Sequence, residues 1–259
     1  MTPRVVNPSS SRYNEVRGWS NVGNGKHGSV TTVFTVRDRR KLREMFLGLS
    51  RPVGIIALTN AEQRTQVEAL TNELSRLTPI PLSVRIVDPE HDPALQQAMG
   101  FGGVPSFQFV GAQGEVAPIE MVGLPTGYQF GAFLNVLLTL GRGRLRVSHA
   151  VQGALKNLVA DVRLEVLVSA TCPNCPGLVR LSQECALANP ARIRAVSIDA
   201  VQHPDLAGPG IDVVPLTRIW VDGRMRGEEA GLMSEARLYH LIQASVKGAF
   251  RRDKSSEPH

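Results

Sequence analysis

The chain has 259 residues, 42% hydrophobic and 20% charged, enough for one large globular domain or two ordinary ones. Its 29 Lys and Arg against 23 Asp and Glu give a net charge of +6, but the basic residues are scattered and only 5% of residues are aromatic. That supplies a base-stacking surface poorly and argues against nucleic acid as partner. No apolar stretch with a small-residue cleavage site stands near Met1, the longest apolar run (FLNVLLTL) is too short for a bilayer, and three cysteines make no disulfide scaffold. The expectation is a cytoplasmic protein without a membrane partner.

Residues 1–34 are rich in Ser, Asn and Gly without periodicity and read as a flexible tail. RDRRKLREMFLGL (37–49) reads as an amphipathic helix, with Leu42, Met45, Phe46 and Leu49 at helical spacing and Arg51-Pro52 as its stop. VGIIALT (53–59) is a continuous apolar run, the mark of a buried strand. A helix over 62–77 presents Val67, Leu70, Leu74 and Leu77 on one face, and a second strand follows at 82–87. A short helix near 94–99 leads to GVPSFQFV, EVAPIEMV and a helix over 130–140.

After the break GRGRLR (141–146) the order starts again. Helix 150–159, strand 163–169, helix 176–188 and strand 193–198 come first. VVPLTRIWV, a turn at Asp222-Gly223, a short strand and a helix over 234–246 follow, and 251–259 is a polar tail. Val104-Pro105 and Val214-Pro215 each open a third strand, 110 positions apart, and at nearly the same offset Ala61 falls opposite Cys172. This is read as a duplication, with folds at 35–146 and 147–250. Each is an α/β unit with a mixed central sheet flanked by helices.

The chemistry lies in TCPNCP (171–176). Cys172 follows a strand and opens a helix, so it is expected as the N-cap with Pro173 at the first helical position. Helix amides and the macrodipole favour its thiolate, and Cys175, one turn on, can attack a mixed disulfide formed there. Three readings compete: a redox couple, half of a metal site, or inert thiols. Cys185 shares an apolar helical face with Leu178, Leu181 and Ala188, where it is expected to be a buried hydrophobe rather than a ligand. Strand, CxxC, helix and a Val-Pro strand together favour redox chemistry, and no metal site is expected.

The layout resembles the thioredoxin fold in tandem, with a glutaredoxin-type second half. KLREMFLGLSRPVGIIAL, GLPTGYQFGAFLNVLLTLG, VLVSATCPNCPGLVRL and VVPLTRIWVDGR resemble the N-terminal tandem domain of the alkyl hydroperoxide reductase flavoprotein subunit. The likeness to the two-fold protein disulfide oxidoreductases is looser, and the resemblance spans roughly residues 38–245. It implies a first fold without cysteines, a cis Pro215 against the CxxC with Pro105 as its vestige, and delivery of electrons from a flavin domain to a peroxiredoxin. Where that family has Gly-His-Glu-Phe, this chain reads Gly127-Tyr128-Gln129-Phe130, so an amide replaces the acid near the site. Between the cysteines stands Pro-Asn, not His-Asn. The buried acid of single thioredoxins, six positions before the first cysteine, is Val166 here. Glu165 is expected on the opposite, solvated face of its strand.

The expected function is dithiol–disulfide exchange, with Cys172 attacking and Cys175 resolving. Thr171, Pro173, Asn174, Val214 and Pro215 line the substrate groove, and Gln129 stands behind it. No GxGxxG fingerprint is present, so no bound cofactor is expected and electrons come from a separate thiol reductant or reductase. The expected substrate is a disulfide-containing protein, a peroxiredoxin among the candidates. The alternatives are a metal-binding thiol protein or an adaptor on a thioredoxin-like scaffold, docked through the basic tail with Arg4, Arg12, Arg17 and Lys26.

Overall fold

A computed structural model describes residues 34–248. The tail expectations, including the docking residues Arg4, Arg12, Arg17 and Lys26, lie outside these apart from Phe34. The chain divides into two compact units. The first runs to Leu124 and takes in Phe133–Arg144; the second comprises Pro125–Ala132 and everything from Leu145.

In the first unit, Thr35 caps α1 (Val36–Phe46), and its hydroxyl and the Asp38 carboxylate answer each other in a capping box. Bonds from the Thr35 hydroxyl and amide hold the Asp38 carboxyl below its ordinary range. Leu42, Phe46 and Leu49 are buried as their spacing requires, but the helix stops at Phe46 and leaves Met45 37% exposed. Strand β1 (Val53–Leu58) is buried throughout. Asn60 caps α2 (Ala61–Leu77), which buries Val67, Leu70, Leu74 and Leu77. Strand β2 (Leu82–Val87), α3 (Pro93–Met99), β3 (Ser106–Val110) and β4 (Val116–Val122) follow, and then α4 (Tyr128–Arg142), which belongs to this unit from Phe133 on.

The unit's strands lie in the order β2-β1-β3-β4, with β1 parallel to β2 and the other pairs antiparallel. Parallel β1 and β2 need a crossover, which α2 supplies. Ile56, Leu58, Val87, Met99 and Val110 form a core cluster, and Phe133 meets Phe107 and Phe109 edge-on at 5.3 Å.

The second unit repeats the plan. Helix α5 (His149–Lys156), capped by Ser148, precedes β5 (Val162–Val168), α6 (Cys175–Ala188) and β6 (Ile193–Asp199). Then come α7 (Pro204–Ala207), β7 (Leu216–Val221), β8 (Arg224–Ala230) and α8 (Glu235–Val246). Its strands run β6-β5-β7-β8, with β5 parallel to β6 and the rest antiparallel. The β7–β8 turn is Asp222-Gly223, both at positive φ (48° and 77°), which suits the twist of a two-residue hairpin.

The repeat extends to single hydrogen bonds. Gln108 Nε2 donates to the carbonyl of Met99, which ends α3, at 2.9 Å. Its counterpart Arg218 donates to the carbonyl of Ala207, which ends α7, at 2.8 Å. Gly123 N–H donates to Pro105 O and Gly231 N–H to Pro215 O, each at 2.8 Å. Val104-Pro105 and Val214-Pro215 are both cis. Each unit is therefore a thioredoxin-like fold, a mixed four-strand sheet with helices.

One expectation fails here. Glu165 is not solvated; it is 4% exposed. Its carboxylate lies 2.8 Å from Arg163 and 3.5 Å from Arg218, which also holds Glu228 at 2.9 Å. The register pairs Glu165 with Arg218 and Arg218 with Glu228, so a charged row crosses three strands. The alternation that puts Glu165 opposite Val166 is right, but that face is covered too, since α7 packs on β6 and receives Arg218.

Candidate active site

Strand β5 carries the chain to Val168, whose carbonyl accepts from Ala200 N–H on the loop after β6, at 2.9 Å. The chain then turns through Ser169, Ala170 and Thr171 into the cysteine pair. Cys172 N–H donates to Ser169 O at 3.2 Å and closes that turn. Cys172 and Cys175 are joined by a disulfide with Cα atoms 5.5 Å apart.

The helix begins later than expected. Asn174, not Cys172, is the N-cap, Cys175 is the first helical residue, and Pro176 rather than Pro173 occupies the early proline position. The cause is Pro176. It has no N–H for a bond to the Cys172 carbonyl four residues back, and its ring would clash with that carbonyl in a helix. Residues 172–174 therefore stay unwound. The helix amide still reaches the first cysteine: Cys175 N–H donates to the Sγ of Cys172 at 3.1 Å. A sulfur thus accepts at i to i+3, as the Asn60 side chain does for Gln63 N–H at 3.1 Å in the first unit.

Cys172 is 8% exposed and Cys175 fully buried, so of the two only Cys172 meets solvent. Thr171, Pro173 and Asn174 are exposed around it. The Thr171 hydroxyl lies 3.3 Å from that of Ser169, and Asn174 makes no side-chain cap bond. From the other side, the Val214 carbonyl oxygen stands 3.7 Å from the Cys172 sulfur, and cis Pro215 follows it. Gln129 is 3% exposed, and its Nε2 donates to Ser169 O at 3.1 Å. Cys185 is buried on α6, where burial first, then the charges of Glu235 and Glu184, push its thiol up to about 12. Among the described residues no three His, Cys, Asp or Glu side chains are grouped to hold a metal ion.

Residue-by-residue reading overlooked the backbone around the pair. Ser169 and Ala170 offer the carbonyls that fix the turn, and Tyr128 N–H donates to Ala170 O at 2.9 Å. No residue type marks such a carbonyl. The GYQF segment, singled out by resemblance, is the signal that leads there.

The second, thioredoxin-like unit thus carries a CxxC disulfide at its strand-to-helix turn. No family model matches the chain. It is similar to the F-type subunit of alkyl hydroperoxide reductase from Xanthomonas campestris pv. phaseoli, 30% identical over 101 residues, which is 39% of this chain and 19% of that protein. A Bacillus subtilis protein named NADH dehydrogenase is 26% identical over 129 residues, 48% of this chain and 25% of that one. The chain thus spans only about a fifth to a quarter of the curated relatives it matches.

Among solved structures, the NTD_N/C domain of alkylhydroperoxide reductase AhpF from Enterococcus faecalis superposes with a TM-score of 0.71 at 21% identity, covering 81% of this chain and 99% of that one. A protein disulfide oxidoreductase from Aeropyrum pernix gives 0.72 at 22% identity over 84% and 95%. Both have the same fold. Among the described residues no helix is long and apolar enough to cross a membrane.

Proposed function

We propose that this protein is a dithiol–disulfide oxidoreductase acting on protein disulfides. The observation that carries the reading is the Cys172–Cys175 disulfide at the head of α6, with Cys172, 8% exposed, accepting a helix amide at its sulfur and Cys175 fully buried. In the reduced protein the Cys172 thiolate attacks one sulfur of a partner disulfide. The other partner sulfur leaves as a thiolate and takes a proton. Cys175, deprotonated, then attacks the Cys172 sulfur and frees the partner's second thiol. Two electrons and two protons pass to the partner, and the pair becomes the disulfide seen here. A separate thiol reductant or reductase restores it.

Thr171, Pro173, Asn174, Val214 and Pro215 form the groove for the incoming chain, with Val214 and Thr171 flanking the sulfur. The rim favours a protein over a small anionic disulfide. Tyr128, Val201, Val213 and Leu232 are each more than half exposed, on the segments that bond to or flank the cysteine turn and Pro215. Residues 125–132, 169–176, 200–217 and 231–236 contain no Lys or Arg, while Asp205 and Asp212 are exposed. Apolar side chains and acids suit an apolar or basic polypeptide and repel a small carboxylate-bearing disulfide. The resemblance to the alkyl hydroperoxide reductase flavoprotein subunit supports a peroxiredoxin as that protein, and we place the exchange in the cytoplasm, where a lone CxxC serves chemistry rather than scaffolding.

The test is exchange from the reduced protein to a disulfide-linked protein substrate, followed by the thiols released. Wild type should transfer two electrons per chain, Cys172→Ser none, and Cys175→Ser should stop at a mixed disulfide visible on a non-reducing gel. Full exchange by Cys172→Ser would end the reading. Partner capture that persists without either cysteine would favour the adaptor instead.

A further inference from the structure

The segment 127–129 interlocks with the turn that leads to Cys172. Gly127 sits at φ 54°, a conformation that favours glycine, and a Cβ there would run into the carbonyl of Ala170. Tyr128 N–H donates to that same carbonyl at 2.9 Å. Gln129 Nε2 donates to Ser169 O at 3.1 Å, and Ser169 O also accepts from Cys172 N–H at 3.2 Å. One carbonyl thus joins the Gln129 amide to the backbone of the attacking cysteine.

The carboxamide is oriented by this contact, since Oε1 turned toward Ser169 O would set two acceptors face to face. Oε1 is then buried and has no donor among the described residues. A neutral oxygen tolerates that at a modest cost, whereas an ionised carboxylate would meet a far larger one.

We infer that Gln129 is a positioning residue for Cys172. Its amide fixes the Ser169 carbonyl, which fixes the Cys172 N–H and hence the direction of the sulfur, and its neutrality keeps a negative charge away from the thiolate. The inference rests on the reading of Cys172 as the nucleophile. Tyr128, Cys172 and Cys175 are the only titratable residues in 125–132 and 169–176. On the neighbouring loop, Asp199 is engaged by Val201, Gln202 and the Gln202 amide, and His203 is buried.

The experiment follows alkylation of Cys172 by iodoacetamide against pH, read by peptide mass, in fully reduced protein and in Gln129→Glu and Gln129→Ala. A thermal melt of each variant confirms a folded chain. Gln129→Ala loses the clamp but adds no charge, so Cys172 should react about tenfold more slowly with a rate ratio to wild type that is flat in pH. Gln129→Glu should move the Cys172 profile to higher pH, because a carboxylate opposes the thiolate. At acid pH, where the carboxylic acid can again donate to Ser169 O, its ratio to wild type should recover.

Wild-type profiles in both folded variants overturn the inference even if wild type exchanges disulfides normally. A wild-type protein that exchanges nothing, together with the shifted Gln129→Glu profile, leaves the positioning role standing and removes the proposed function instead.

Discussion

The backbone N–H of Cys175 points at the sulfur of Cys172 across 3.1 Å, so the first amide of α6 serves the less buried of the two cysteines. A thiolate at Cys172 gains from this amide and from the helix N-terminus, and both lower its proton affinity. In the reduced protein at pH 7, iodoacetamide should label Cys172 roughly tenfold or more faster than Cys175. Peptide mass spectrometry after short labelling measures this. Equal labelling, or labelling of Cys175 first, would reverse the assignment of attacker and resolver.

The charged row Glu165–Arg218–Glu228 crosses three strands of the second unit's sheet, from a buried carboxylate to two partly buried groups. Glu165 is nearly inaccessible and Arg218 has a side chain 15% exposed. Arg218→Leu leaves Glu165 with Arg163 alone, whose side chain is 43% exposed, and removes the bond to Ala207 O. Breaking one side of a buried pair costs about 3 kcal/mol. Urea unfolding should show a loss of that order, and Glu165→Leu combined with Arg218→Leu should restore part of it. A loss below about 0.5 kcal/mol would mean the row is surface decoration.

The duplication, the order of elements and the cysteine turn were legible because each has a local cause. The run VGIIAL is apolar at every position, Asp222-Gly223 can only be a tight turn, and Val104-Pro105 repeats as Val214-Pro215. What escaped was long-range. Glu165 looks solvated until the register brings Arg218 beside it and α7 closes over that face; neither follows from alternation within β5. The start of α6 was legible but misread. CPNCP has two prolines, and the second, four residues after Cys172, forbids the turn that the first would permit. The docking of Gly127 and Gln129 on the cysteine turn depends on backbone carbonyls, which carry no sequence label.

Glycine substitutions separate these two kinds of position. Gly127 has φ 54° and the Ala170 carbonyl in the way of a Cβ, whereas Gly177 lies exposed in the first turns of α6 with nothing within 4 Å of its added Cβ. Gly177→Ala should stabilise by about 0.5–1 kcal/mol through the unfolded chain. Gly127→Ala should destabilise by about 1–3 kcal/mol, since the backbone must take a strained conformation or move off Ala170. Thermal melts of the two variants should shift in opposite directions. A melt of Gly127→Ala at or above the wild-type temperature would place the 127–129 segment off the cysteine turn.

Cys185 gives a stability signature at alkaline pH. Burial raises its thiol from 9.0 to about 12, with the carboxylates of Glu235 and Glu184 adding to the rise. Between those values the native protein keeps the proton while the unfolded chain has lost it, so the native state binds more protons and stability falls as pH rises. Below pH 9 the contribution is fully present; through the window the loss approaches about 1.4 kcal/mol per pH unit. Cys185→Ala removes the titrating group, though its smaller side chain costs a fixed amount at every pH. Chemical unfolding of the reduced proteins at pH 7, 9 and 10.5 should therefore show the wild type losing its advantage over Cys185→Ala as pH climbs. A constant difference across that range would mean that Cys185 ionises as readily in the fold as outside it, and that α6 does not seal it from water.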